Sequence, residues 1–218
     1  MVGGLLASGR RGLTVLECST LPLDDKHSAH DALEAAGITL LDCPISGTGA
    51  QAATKDIVVF ASGERAAYQA AVPVIEGFAK RHRFVGPFGD GSKLKFVANL
   101  LIADHVAAAA EAMVLGAKAG LDPKLVHEVI AGSPASSAMF DLRARLMAEN
   151  DYEPAMMKMD LWQKDVAIIA DFIEDLGVHA PLFAAGAALY RQAMADGLAK
   201  EDTAAVCRVV ERLSGVKR

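Results

Sequence analysis

The sequence predicts an α/β domain followed by an all-α domain, and three observations support this prediction. Up to Gly91, short β-rich runs alternate with helical runs, as expected where crossover helices join strands. After Gly91, every apolar segment has helical length and period. A chain of 218 residues can also bury the cores of two small domains. We therefore expect domains at 1–91 and 92–218.

The α/β part has candidate strands joined by helical runs. Strands are expected at 13–18, 39–45, 56–61 and 83–85. Helices are expected over 24–36, which ends at Gly37, and over 64–78, for which Gly77 is a candidate C-cap. This alternation is typical of a partly parallel sheet.

The all-α part begins with a long helix over 92–118 that is apolar on nearly all faces, which predicts burial on every side. Gly120 closes it, and Asp122 and Pro123 suit the N-cap and first position of the next helix. Further helices are expected at 123–131, 135–149, 154–176, 181–196 and 202–214. Their alanine-rich faces allow close packing and suit a homodimer or higher homo-oligomer.

Composition and charge exclude several classes of protein. A net charge of −5 without clustered Lys and Arg argues against a nucleic-acid partner. The three cysteines lack metal-like spacing, so we expect neither a disulfide framework nor a zinc site. Residues 1–7 do not form a secretory signal, and charged residues interrupt the most hydrophobic stretch, 97–115. We therefore expect a soluble, cytoplasmic protein without a membrane partner.

A glycine turn at 89–91 leads into the long helix, and two polar residues follow it. Lys95 and Asn99 lie four positions apart and therefore share one helix face. Burial would lower the pKa of the lysine toward the range useful for proton transfer. The alternative is that Lys95 extends to solvent while Asn99 satisfies a backbone group. Lys93 points elsewhere and is the expected solvated residue.

A second polar segment, 41–49, places small residues after a candidate strand. Ser46 and the neighbouring backbone amides suit a carboxylate at a sheet edge, although an ordinary glycine turn is the alternative. Residues 47–52 also satisfy a relaxed dinucleotide fingerprint. We interpret that match as fortuitous, because 49–55 is too short to supply the phosphate-binding helix before the next strand.

Taken in order, these segments resemble the β-hydroxyacid dehydrogenase family, which includes 3-hydroxyisobutyrate dehydrogenase and tartronate semialdehyde reductase. A Ser-Thr-x-x-Pro-like segment is matched at 18–22 and a DxPVSGG loop at 42–48. A GxGxxxKxxxN element is matched at 89–99, and a Lys-Asp pair on a late helix within 162–166. The resemblance extends along essentially the whole chain.

The resemblance implies a partial Rossmann-like domain followed by an all-α domain like the C-terminal domain of 6-phosphogluconate dehydrogenase. It implies an oxidoreductase that uses NAD or NADP on a small β-hydroxyacid or its semialdehyde. Family members begin with a GxGxxG strand, turn and helix that this sequence does not show. We therefore expect an N-terminally truncated chain, and the sequence leaves open whether it is active by itself.

The resemblance also assigns roles to individual residues. Lys95 aligns with the catalytic lysine, a general acid and base. The residues that would bind substrate are Ser46, Gly47, Thr48 and Asn99. The residues that would bind the cofactor are Thr20 and Lys164. Thr48 replaces the second glycine of the family's SGG, which changes the shape of the expected carboxylate site.

Other interpretations remain open at this point. The chain could be a non-catalytic remnant that dimerises through its helical domain. It could also be a relative of imine reductases, although that group usually replaces the catalytic lysine. His27 and His30 could bind a metal, but a solvated helix start is the preferred interpretation, so no metal site is expected.

Overall fold

The structure is a computed structural model that describes residues 2–217, except for the side chain of Ala50. Met1 and Arg218, the ends of the two expected domains, lie outside the described residues. The chain divides into two compact units, one up to Ala98 and one from Asn99. Helix α5 (Asp90–Lys118) begins in the first unit and continues into the second.

The first unit contains a mixed sheet. Its strands are β1 (Thr14–Glu17), β2 (Thr39–Asp42), β3 (Ile45–Ser46), β4 (Val58–Ser62) and β5 (Arg81–Gly86). Strands β1 and β2 are parallel, as are β4 and β5. Strand β4 runs antiparallel to both β2 and β3. The expected strand 39–45 is interrupted at Cys43 and Pro44, after which the chain pairs again with β4.

Helices cover both faces of this sheet. They are α1 (Val2–Ala7), α2 (Leu23–Ala35), α3 (Gly49–Ala53) and α4 (Arg65–Phe78). Leu40 and Leu41 are consecutive in β2 and therefore point to opposite faces. Leu41 packs in a core cluster with Ile75 of α4, whereas Leu40 packs in a second cluster with Leu33 of α2. The alternation of side chains along β2 thus places its apolar residues in two cores, one on each face of the sheet.

The second unit is helical. After α5 its helices are α6 (Pro123–Ile130), α7 (Ala138–Glu149), α8 (Met159–Asp175), α9 (Pro181–Ala195) and α10 (Val206–Leu213), the last preceded by a 3₁₀ turn at Thr203–Ala205. Tyr190 of α9 is fully buried and donates a hydrogen bond to the Ala103 carbonyl oxygen at 2.9 Å. Asp122 caps α6, with Pro123 at its first position as expected.

Some sequence expectations about the helices were wrong. Gly77 lies inside α4, which ends at Phe78 and has Ala79 as its C-cap. Helix α8 begins at Met159, not at 154, because the backbone N–H groups of Met156 and Met157 donate to the buried Asp202 carboxylate. Helix α7 begins at 138, because the Ser137 hydroxyl caps it.

The expectation that α5 is buried on every side was also wrong for the described chain. Val97, Leu101 and Leu115 are 54%, 49% and 71% exposed. By length and composition alone, α5 is one helix in the described chain that could cross a membrane. The core helix of a soluble protein passes the same test, so this finding is weak evidence for a membrane span.

Candidate functional site

The carboxyl ends of β1 and β2 meet at one edge of the sheet, where several expected site residues lie. Thr20 is partly buried and follows β1 by three positions. Ser46, also partly buried, ends β3, which begins three residues after the last residue of β2. Carboxyl ends of parallel strands are where open α/β sheets bind ligands. This edge is therefore the candidate site of the first unit.

The loop after Ser46 has a backbone that requires glycine at one position. Gly47 has a φ of +143°, and a Cβ built on it would lie 2.6 Å from the Ile57 Cγ2 atom. Any other residue would therefore be strained and would displace Ile57. Gly47 thus lets the chain pass close to Ile57, the residue directly before β4.

Thr48 forms a capping box at the start of α3. Its hydroxyl accepts from the Gln51 N–H at 3.4 Å, and its own N–H donates to Gln51 Oε1 at 2.9 Å. The Thr48 hydroxyl also lies 3.2 Å from Gln51 Oε1. A substrate carboxylate at Thr48 would have to compete with the Gln51 side chain for this N–H group.

The relaxed fingerprint at 47–52 does not form a dinucleotide-binding turn. A helix does begin within it, contrary to expectation, but α3 covers only Gly49–Ala53. The flanking strands β3 and β4 are antiparallel, whereas the dinucleotide fold requires parallel strands around its crossover helix. The match in the sequence is therefore fortuitous.

Lys95 lies in the second turn of α5 and is only 8% exposed. Lys93 is half-exposed, and its Nζ atom lies 3.0 Å from Asp90 Oδ1. The alternative of a solvent-directed Lys95 therefore does not describe the structure. A buried amine on a helix near a sheet's ligand edge is a group that can exchange protons with a bound molecule.

A buried carboxylate holds the start of α5 at this edge. Asp42 Oδ2 accepts from the Ser92 N–H at 2.8 Å, and Asp42 Oδ1 accepts from the Ser92 hydroxyl at 2.8 Å. The Gly91 N–H donates to the Ser62 hydroxyl oxygen at 2.9 Å, and that hydroxyl donates to Asp42 Oδ2 at 3.1 Å. The first N–H groups of α5 are thus capped by residues of β2 and β4.

An ion pair completes this arrangement. Lys26 of α2 is 1% exposed, and its Nζ atom lies 2.7 Å from Asp42 Oδ1 and 2.6 Å from Glu17 Oε2. Glu17 also accepts from the Ser19 N–H at 2.9 Å. Sequence reasoning missed this cluster, because Lys26 follows two aspartates at a helix start and resembles a solvated charge.

Two thiols lie at the same strand ends and are poor nucleophiles. Burial raises the pKa of Cys43 to about 12, and it also raises the pKa of Cys18. The nearby carboxylates act in the same direction, whereas Lys26 opposes them. Both thiols are therefore protonated near neutral pH.

The second unit has its own buried polar group. Asn99 is 1% exposed, and its Nδ2 group donates to Asp165 Oδ2 at 3.0 Å. Asn99 Oδ1 is buried and has no hydrogen-bond partner among the described residues. Lys164, which is half-exposed, places its Nζ atom 3.0 Å from Asp165 Oδ1. Asp165 therefore orients Asn99, a role that the Lys-Asp motif could have indicated.

A histidine cluster on α2 carries no assignment. The potential ligand atoms of His30, Asp31 and Glu34 lie within 4.8 Å of one another. The two acidic residues are exposed, and His30 packs against Phe88 with ring centroids 4.4 Å apart. Exposed acidic groups of this kind are common without a metal, and His27 is not part of the cluster.

Comparison with known proteins identifies the family of this chain. Residues 1–86 match a family model described as the NAD binding domain of 6-phosphogluconate dehydrogenase. Residues 89–210 match one described as NAD-binding of NADP-dependent 3-hydroxyisobutyrate dehydrogenase. Both models describe NAD-binding domains of dehydrogenases, so the class of protein is that of the NAD(P)-dependent dehydrogenases. The chain belongs to the β-hydroxyacid dehydrogenase family.

Individual relatives support this assignment. L-threonate dehydrogenase of Escherichia coli O6:H1 is 34% identical over 91% of this chain and 66% of its own length. 2-(Hydroxymethyl)glutarate dehydrogenase of Eubacterium barkeri is 34% identical over 98% of this chain and 71% of its own. The crystal structure of 3-hydroxyisobutyrate dehydrogenase from Salmonella typhimurium is 32% identical, with a TM-score of 0.85 over 92% of this chain and 70% of its own. The chain thus spans about two thirds of the length of such relatives.

Proposed function

We propose that this chain is the catalytic part of an NAD(P)-dependent oxidoreductase that acts on a small β-hydroxyacid or its semialdehyde. The observation that carries the proposal is the buried amine of Lys95, one turn beyond a helix start that buried polar groups hold in place. Relatives with different acid names, threonate and 2-(hydroxymethyl)glutarate, support the substrate class without selecting one acid.

Lys95 is the general acid and base of the proposed reaction. In the oxidation, its Nζ atom accepts the proton of the substrate hydroxyl; in the reduction, it returns a proton to the carbonyl oxygen. A lysine at so buried a position suits this role, because it is held beside the bound molecule. A nicotinamide cofactor, when bound, accepts or supplies the hydride.

The remaining residues position the substrate. Ser46 and the Gly47 backbone are the donors for its carboxylate, and Thr48 joins them if the carboxylate displaces Gln51. Asn99 places the hydroxyl, since Asp165 holds its amide nitrogen and thereby leaves Oδ1 as the acceptor. This division of roles combines anion binding with proton transfer.

The proposed cofactor contacts come from one residue of each unit. The half-exposed Lys164 ammonium is a donor held by Asp165. Thr20 offers a hydroxyl at the carboxyl edge of β1. Within the part of the chain that the structure describes, the glycine-rich segment 47–52 lies between antiparallel strands. As the family resemblance implies, we assign to Thr20 and Lys164 contacts with the cofactor.

The test replaces Lys95 in the full chain. Lys95→Ala is expected to lower turnover by roughly 10²–10⁴-fold, which is the usual contribution of acid–base catalysis. Binding of NADH or NADPH, followed by quenching of Trp162 fluorescence, should persist. Lys93→Ala is the matched control, because Lys93 is half-exposed and should leave turnover unchanged. Near-normal turnover in Lys95→Ala would remove this lysine from the mechanism.

The retained Lys95 also favours a hydroxyl or carbonyl substrate over an imine. The family resemblance implies that imine-reducing relatives usually replace this lysine. Assays with a β-hydroxyacid panel and a cyclic imine, each with both cofactors, separate the two activities. Turnover of the imine alone would support the imine-reductase alternative.

We also infer that the helical unit, which we assign to 92–218, associates with a second copy of itself. Exposed apolar residues of α5 and α6 line one groove, including Leu115, Leu125 and Val129. Val129→Glu should shift the sedimentation of the chain toward the monomer, whereas Val74→Glu, on the exposed side of α4, should not. Self-association without any response to NADH or NADPH would favour the non-catalytic remnant.

A further inference from the structure

The start of α5 is held by groups that come from elsewhere in the first unit. Asp42 is fully buried, and each of its carboxylate oxygens accepts two hydrogen bonds. The donors are Lys26, the Ser62 hydroxyl, and both the N–H and the hydroxyl of Ser92. The Asp42 carboxylate is therefore saturated and cannot turn without breaking several bonds.

Charge reinforces this geometry. Glu17, Lys26 and Asp42 together carry a net charge of −1 in a buried place. The N-terminus of a helix carries a partial positive charge that stabilises a nearby anion. The first turn of α5 therefore provides the compensation that Lys26 alone does not. Removing these three charged side chains from water costs free energy, so close packing of the first unit does not by itself explain why they are buried.

The position of Asp42 connects it to both parts of the candidate site. Along the chain, Asp42 precedes Ser46 by four residues, with Cys43 and Pro44 in the break between β2 and β3. In space, it binds Ser92, and Lys95 lies three residues further along the same helix, close to one turn away. One carboxylate thus joins the expected anion loop to the helix that carries the amine.

We propose that Asp42, held by Lys26, is a positioning residue that fixes Lys95 through Ser92. This inference rests on the proposed function for its catalytic consequence, but not for its structural one. Asp42 does not touch the substrate. Without the Asp42 bonds the first turn of α5 opens, and Lys95 loses its fixed place and its burial.

The sharpest test is Ser92→Ala, because it removes one hydroxyl and leaves the buried charges intact. The measurement is the rate at which Lys95 is acetylated in a brief pulse, read by mass spectrometry of its peptide. The rate should rise about fivefold, since losing one hydrogen bond changes a local opening equilibrium by about that factor. Asp42→Ala should give a larger increase where the variant folds.

Ser137→Ala is the matched control. It also removes a serine that caps a helix, since the Ser137 hydroxyl accepts from the Phe140 N–H at 3.0 Å, but it does so in the second unit. Its acetylation rate at Lys95 should equal that of the unchanged chain. Equal rates in Ser92→Ala and Ser137→Ala would overturn the inference.

Turnover separates this inference from the proposed function. If both hold, Ser92→Ala lowers kcat at least tenfold and changes KM for the hydroxyacid by less than twofold, because a displacement of about 1 Å can reduce turnover about 10²-fold. The acetylation result does not depend on turnover. A Lys95→Ala variant with normal kcat would refute the proposed function, even where Ser92→Ala exposes Lys95.

Discussion

Gly91→Ala should distort the start of α5 and destabilise the first unit. A Cβ built on Gly91 would lie 2.9 Å from the Asp42 carbonyl oxygen and closer still to that of Phe60. Ordinary contacts begin at 3.4 Å, so the contact with Asp42 alone would require a shift of about 0.5 Å, and the closer contact with Phe60 would require a larger one. Neither oxygen can yield easily, because both belong to backbone in the sheet.

The cost has two parts. Overpacking in a well-packed region costs about 1–3 kcal/mol. The displaced helix also weakens the bonds from the Gly91 and Ser92 N–H groups, each worth about 1 kcal/mol. The free energy of unfolding of the first unit should therefore fall by about 2–5 kcal/mol. Urea denaturation followed by far-ultraviolet circular dichroism measures this loss.

Gly77→Ala is the matched control and should have the opposite sign. Gly77 lies within α4, and a Cβ built on it meets no atom within 4 Å. Alanine at a helical position without steric conflict stabilises by up to about 1 kcal/mol. If Gly91→Ala were as stable as the unchanged chain, the close approach of α5 to the sheet, and the reasoning built on it, would be refuted.

Three further predictions concern other parts of the chain. Asp202→Ala should destabilise the second unit by about 3–5 kcal/mol, because it leaves the buried Arg143 unpaired. Urea unfolding followed by Trp162 fluorescence measures this loss. A loss below about 1 kcal/mol would contradict the prediction. Burial raises the pKa of Cys43 from 9.0 to about 12, so its protonated thiol contributes stability that is present below pH 9 and is lost as the pH rises toward 12. Cys43→Ala should therefore flatten the dependence of unfolding free energy on pH between pH 9 and pH 12. An unchanged dependence would exclude this thiol as the cause. Hydrogen bonds from the Ser136 hydroxyl and the Gly132 N–H hold the pKa of Asp141 below 3.8, so the associated stability is present above pH 3.8 and is lost as the pH falls through the lowered value. Ser136→Ala should raise the pKa of Asp141 in a carbon-13 NMR titration. An unchanged pKa would show that the serine does not hold the carboxylate.

The layout of the fold could be predicted because it depends on local period. Strand β4 and helix α2 lie within two residues of their expected bounds, and their apolar spacing alone indicates them. The start of α8 could not be predicted in this way. Its first N–H groups bind Asp202, more than forty residues further along the chain, and no local pattern reports such a contact.

The candidate site divides in a similar manner. Lys95 and Asn99 could be selected from their polarity in an apolar helix and from the family resemblance. The capping box at Thr48 could also be recognised in the sequence, because a threonine followed three residues later by glutamine is its usual pattern. The role of Asp42 required coordinates, because its partners lie 16 to 50 residues away.

The capping of α5 by distant residues has a consequence for synthesis on the ribosome. The residues that hold the start of α5 all precede Gly91 in the chain: Glu17, Lys26, Asp42 and Ser62. They have therefore been translated before the helix emerges from the ribosome. Domains generally fold as units, with N-terminal ones first. The start of α5 can therefore bind these residues as soon as it is synthesised. Lys95 is then positioned while the rest of the chain is still being translated.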